Sequence, residues 1–173
     1  MKRDLKLSRI YPHPPELVWI ALTDSDALGE WLMSNDFKPM VGHRFQFRTE
    51  PAPGFDGIVN CEVLAVDEPH RLSYSWKGGP INTILTFTLE KVPEGTRLTM
   101  EQTGFSGMKA VVVSYILGTG FKSMYEKKLP ALLEKLARGE RAASASGPSS
   151  CEGEDASVKA KVLAHVANAI PKK

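Results

Sequence analysis

The sequence predicts an α+β domain in which a curved antiparallel sheet of six strands wraps around one long C-terminal helix. Three observations predict it. From Ser106 to Ala137, Leu117, Phe121, Met124/Tyr125, Leu129, Leu132 and Leu136 recur in steps of three and four, which sets one apolar stripe along a single helix face. A stripe that long needs a broad apolar surface to lie on. Upstream, Arg44 to Thr103 breaks into short runs of alternating polar and apolar residues separated by tight turns, the pattern of strands that bury one face. Two short helical segments stand between the first strand and all the others.

Leu5 and Leu7, with Arg9 in the same register, alternate with Lys6 and Ser8, so Leu5 to Ile10 reads as the first strand. Tyr11-Pro12-His13-Pro14-Pro15 stops it, and the paired prolines suit the first turn of a helix, where a missing N–H costs nothing. Glu16 to Leu22 follows with Leu17, Val18, Ala21 and Leu22 on one side. Thr23-Asp24-Ser25-Asp26 offers a fresh N-cap, and Asp26 to Met33 makes a second helix carrying Leu28, Trp31 and Leu32.

Gly42 opens the sheet proper. Phe45 and Phe47 alternate with Arg44, Gln46 and Arg48, and a Pro/Gly loop follows. Val59, Cys61, Val63 and Ala65 share one face of the next strand, which Asp67-Glu68-Pro69-His70 turns. Leu72, Tyr74 and Trp76 line the next, ended by Gly78-Gly79-Pro80. Leu85, Phe87 and Leu89 line Thr83 to Lys91. After the turn Pro93-Glu94-Gly95, Leu98, Met100 and Gln102 line Thr96 to Thr103. Loops this short between strands imply an antiparallel meander. The long helix then starts with Ser106 as N-cap, and bends are expected at Gly118, Gly120 and Pro130.

Residues 1–138 are thus read as one domain. After Ala137 the composition turns to Gly, Ser, Ala and charge, so 139–157 reads as a flexible linker; Val158, Val162, Leu163, Val166 and Ile170 give 158–173 a weakly amphipathic terminal helix. A net charge of +2 with no basic stripe argues against nucleic acid. The most apolar run, Ala110 to Leu117, falls well short of a membrane span of roughly twenty residues. No signal-peptide core follows the basic start, and the two cysteines, Cys61 and Cys151, form no disulfide framework, so a soluble cytoplasmic chain with free thiols is expected.

Local motifs extend the reading. Ile10, Pro14 and Val18-Trp19-Ile20-Ala21-Leu22-Thr23 followed by Trp31, then Pro69-His70-Arg71-Leu72-Ser73-Tyr74-Ser75-Trp76, then Gly95-Thr96-Arg97-Leu98-Thr99-Met100 with Gly104-Phe105, and finally Gly120-Phe121 with Leu129 and Leu132 together resemble the START-like (SRPBCC) superfamily. Within it they resemble the branch named after the activator of the heat-shock protein 90 ATPase. The resemblance covers about residues 5 to 137. It implies a helix-grip (START/Bet v-like) fold with a cavity between sheet and long helix. Two departures stand out: Phe121 where many relatives have Trp, and Gln102 where many have His. The second removes a titratable group from the cavity face. The eukaryotic activator's further chaperone-binding domain has no counterpart here.

The lining expected for that cavity is Trp31, Phe45, Phe47, Cys61, Val63, Tyr74, Trp76, Phe87, Met100 and Gln102, closed by Tyr115, Phe121 and Met124. Aromatics alternating along strands equally suit an ordinary core. A buried amide at Gln102 must find the backbone, Tyr74, water or a ligand. No catalytic constellation is legible. His13, His43, His70 and His165 have no metal-ligand spacing, Cys61 has no histidine on its face, and Glu62 and Glu101 point outward. No metal or cofactor is expected. The leading expectation is non-catalytic binding of a hydrophobic or amphipathic small molecule, lipid-like or aromatic. A cyclase or dehydratase on the same fold, and a chaperone co-factor or stress-response module contacting a chaperone or a second copy through the tail, are the alternatives.

Overall fold

The computed structural model describes residues 2–51, 56–79 and 81–139, without the side chains of Lys2, Tyr115 and Ile116. Apart from Gly139, the linker and terminal helix expected over 139–173 lie outside the described residues. The fold is the expected helix grip: a curved antiparallel sheet, two short helices after its first strand, and a C-terminal helical segment across one face. The strands are β1 (Lys2–Tyr11), β2 (Ser34–Asn35), β3 (Arg44–Arg48), β4 (Ile58–Asp67), β5 (Arg71–Gly78), β6 (Ile81–Val92) and β7 (Gly95–Ser106). Their order is β1-β7-β6-β5-β4-β3-β2, so β1 closes the sheet beside the last strand.

The sheet has seven strands rather than the six expected. The addition is β2, whose Ser34 and Asn35 pair with Arg48 and Phe47. Two residues carry no alternation for a pattern to register. What holds them is Asn35, whose side-chain amide donates to the Ser25 and Met33 carbonyls while its Oδ1 accepts from the Phe37 N–H. Helix α1 (Pro15–Thr23) starts on the paired prolines, and Asp24 caps α2 (Ser25–Trp31) by accepting from the Ala27 N–H at 3.0 Å.

The long helix expected from Ser106 to Ala137 is present and runs without a break from Met108 to Ala137, with a π turn (Met124–Lys128) between α3 (Met108–Ser123) and α4 (Leu129–Ala137). Ser106 belongs to β7, and Gly107 precedes α3 without a side-chain cap. Helix α3 continues through both Gly118 and Gly120. A Cβ on Gly118 would lie 2.9 Å from Leu5 Cδ1, so the glycine lets the helix settle against β1. No helix among the described residues is long and apolar enough to cross a membrane.

The irregularity falls where Pro130 dictates. In the π turn the Leu129 N–H donates to the Met124 carbonyl, five residues back. The matching donor for the Tyr125 carbonyl would be residue 130, a proline without an N–H. Tyr11 takes its place: its hydroxyl, carried at the end of β1, donates to the Tyr125 carbonyl at 2.8 Å. Arg9 on the same strand bonds Glu126, pinning the turn a second time and holding that carboxyl below its ordinary range. Tyr11→Phe is expected to lower stability by about 1–3 kcal/mol, because a buried carbonyl loses its donor. Urea denaturation measures it, and an unchanged midpoint would contradict this account of the turn.

Candidate functional site

The sheet's inner face faces the helices through one continuous set of rings. Of the residues expected to line it, Phe45, Phe47, Cys61, Val63, Tyr74, Trp76, Phe87, Met100 and Gln102 are buried on that face. Trp31 from α2 packs edge-on to Phe87 at 6.3 Å, and Phe121 from α3 packs edge-on to Trp76 at 5.9 Å. Phe47 joins the two ends, with Tyr74 at 6.1 Å and Trp76 at 5.2 Å, and Tyr74 continues to Phe87 at 6.2 Å. Trp31, Phe47, Tyr74, Phe87, Met100 and Gln102 expose none of their surface, so the interior is closed from solvent around them.

One position departs from the expected lining. Met124 is only partly buried; the next residue, Tyr125, takes the interior place and packs edge-on to Trp31 at 6.0 Å. Helical spacing alone left these neighbours tied, and the π turn decides between them. Tyr115 lies in α3, but its side chain is outside the described residues. Phe37, in the loop before β3, adds a ring against Phe45 at 5.0 Å and Tyr74 at 6.1 Å. No periodicity marks such a loop residue. Thr83 also faces inward by its parity with Leu85 and Phe87, a signal the alternation of β6 does carry.

Three polar atoms stand unpartnered in this interior among the described residues. Tyr74 Oη, Gln102 Oε1 and Tyr125 Oη are buried without a hydrogen-bond partner. Register places the first two on one row: Tyr74 pairs with Leu85, and Leu85 with Gln102. Two strand spacings make that about 10 Å between their backbones. Tyr125 overhangs the row from the π turn. The other end of the Gln102 amide is engaged, its Nε2 donating to Thr83 Oγ1 at 2.8 Å, and that hydroxyl donates to the Trp76 carbonyl at 3.2 Å.

Burial sets the protonation of the site. It pushes the Tyr74 phenol well above its ordinary value, with Cys61 nearby adding to the effect. It does the same to Tyr125, where Tyr11 and Tyr74 add to it. The Cys61 thiol is likewise pushed up by burial and by Asp36. These groups are held as hydrogen-bond donors, and a thiol held protonated is a poor nucleophile. Among the described histidines, His13 pairs with Glu134 at 3.4 Å, His43 stacks beside Phe45 with its ring at the Asp36 carbonyl, and His70 is exposed. The outward carboxylates Glu62 and Glu101 meet Arg44 and Lys6 at the surface.

A family model described as Activator of Hsp90 ATPase homolog 1-like protein matches residues 12–134. Among solved structures, a Mesorhizobium loti protein is 39% identical, covering 77% of this chain and 98% of its own, with a TM-score of 0.69. A Bacillus halodurans protein solved in solution is 26% identical over 77% of this chain and 99% of its own, TM-score 0.65. The crystal structure of CalU16 from Micromonospora echinospora, 20% identical over 95% of this chain and 89% of its own, shares the fold with a TM-score of 0.59. No curated protein matches the chain.

Proposed function

The chain belongs to the family of Activator of Hsp90 ATPase homolog 1-like proteins, and on that premise we propose that it binds a hydrophobic or amphipathic small molecule, without chemistry on it, between its sheet and its C-terminal helix. The observation that carries this reading is the trio of unpartnered atoms, Tyr74 Oη, Gln102 Oε1 and Tyr125 Oη, set among aromatic and aliphatic side chains. Each buried polar group left without a partner costs about 1–3 kcal/mol, and phenylalanine or leucine in their place would avoid the cost. A ligand that reaches these atoms recovers that energy and is oriented by them, while the rings supply apolar contact. Because the interior is closed, entry requires local opening, and the π turn that carries Tyr125 is where the helix is least regular.

Burial holds both phenols and the Cys61 thiol protonated, which supports a binding role over the proton abstraction a cyclase or dehydratase needs. The chaperone reading draws on the family's description and on a tail outside the described residues.

A thermal-shift screen of neutral hydroxylated aromatic compounds tests the proposal. A ligand at about a hundred times its dissociation constant is expected to raise the melting temperature by roughly 5–10 °C. Tyr74→Phe deletes one unpartnered hydroxyl and keeps its ring. The unliganded variant is expected to be as stable as the parent, or more stable by about 1 kcal/mol, with a smaller ligand-induced rise. A screen without a single rise, or a variant that responds like the parent, would contradict the proposal.

A further inference from the structure

We propose that the interior site selects an uncharged ligand that donates a hydrogen bond to Gln102, and that Thr83 sets this preference by fixing which end of the amide faces the ligand. The inference rests on the binding role proposed above. A glutamine side chain has two ends, one donating and one accepting, and its surroundings decide which is presented. Here the decision follows from one proton. The Trp76 carbonyl has none to give, so the Thr83 hydroxyl, 3.2 Å away, donates to it. That hydroxyl has then no proton left and can only accept from Gln102, which lies 2.8 Å away. With that proton committed to Trp76, the NH2 end faces Thr83. The carbonyl end, Oε1, is the one left buried and unpartnered.

Oε1 accepts only, so its complement on a ligand is a hydroxyl or an N–H. Tyr74 and Tyr125 present the opposite chemistry: each hydroxyl keeps its proton and has no acceptor. An ether or carbonyl oxygen on the ligand satisfies either one. Charge is selected against. Among the described residues, the polar side chains buried as a whole are those of Ser73, Thr83, Thr96, Gln102 and Ser114, none of them ionised, so an ion entering among them would lose its hydration without a counter-ion beside it. The ligand class is thus a neutral, largely apolar molecule with one donor directed at β7 and one oxygen directed at the two tyrosines. An amide locked by Thr83 keeps one polarity across the pH range.

The test compares 2-naphthol with 2-methoxynaphthalene, which share a ring system and differ in the donor, titrated calorimetrically against the full chain. The parent is expected to bind the naphthol about tenfold more tightly, the scale of one net hydrogen bond. Gln102→Met keeps length and bulk without an acceptor and is expected to bring the two affinities to parity. Thr83→Val leaves Gln102 in place but frees the amide to turn its N–H inward, and is expected to shift the preference towards the methyl ether. Equal affinities in the parent, unchanged in both variants, would overturn the selectivity and leave the binding role standing. Failure of both compounds to bind the parent would overturn the two together. The parent's own pair of affinities decides the matter even where a variant does not fold.

Discussion

Trp31→Ala is expected to lower stability by about 3–5 kcal/mol, the range for emptying a large buried aromatic site. Trp31 exposes none of its surface and stands edge-on to both Phe87 and Tyr125, at 6.3 and 6.0 Å. It joins sheet to C-terminal helix at the point where Tyr125 overhangs the inner face. Its indole N–H has a second task. Helix α1 ends at Thr23, so the Ala21 carbonyl is among the last four that find no partner within the helix. The Trp31 Nε1–H donates to it at 2.8 Å. Alanine therefore opens a void and orphans a carbonyl, whereas Trp31→Phe removes chiefly the donor and is expected to cost about 1–3 kcal/mol. Urea denaturation of the two variants separates the contributions. A loss below about 1 kcal/mol for the alanine variant would mean that the helices do not depend on this contact.

Gly95→Ala is expected to cost about 3 kcal/mol or more, for two independent reasons. Residue 95 begins β7 with φ at +138°, a conformation that essentially only glycine adopts. A Cβ there would also sit 2.1 Å from the Tyr11 carbonyl oxygen and 2.8 Å from the His13 nitrogen, both backbone atoms held in place. The adjoining Thr96 hydroxyl donates to the His13 carbonyl at 2.7 Å, so β1 ends pressed against the start of β7. That junction delivers Tyr11 to the carbonyl of the π turn, which links a turn residue to the geometry above the site. Thermal and chemical denaturation both report the cost. An alanine variant within about 1 kcal/mol of the parent would show that the junction relaxes and that Tyr11 is not held by it.

Much of the inner face was legible because β-strand parity is a strict rule. Phe45 with Phe47, and Tyr74 with Trp76, fall on the buried face their alternation requires, and Gln102 follows the register of Leu98 and Met100. Helical periodicity is looser. It left Met124 and Tyr125 equivalent, and it could not register a widened turn whose cause is Pro130 acting through the hydrogen bonds of two other residues. Strand β2 escaped because it is held by the side chain of Asn35 rather than by a pattern. The polarity of Gln102 escaped for a related reason. It depends on Thr83 and on a carbonyl of β5, a relay across three neighbouring strands that the alternation within any one of them does not carry.

The measurement that bears most directly on the central claim is a nuclear magnetic resonance titration of the full chain with 2-naphthol. It would follow intermolecular proton contacts to the rings of Tyr74, Phe87 and Tyr125 and to the Gln102 side-chain amide. Contacts from the ligand to Tyr125 on one side and to Tyr74 and Gln102 on the other are expected, placing it between helix and sheet. Saturable binding whose contacts stay on the outer sheet face or in residues 140–173, with those four side chains unperturbed, would contradict the account.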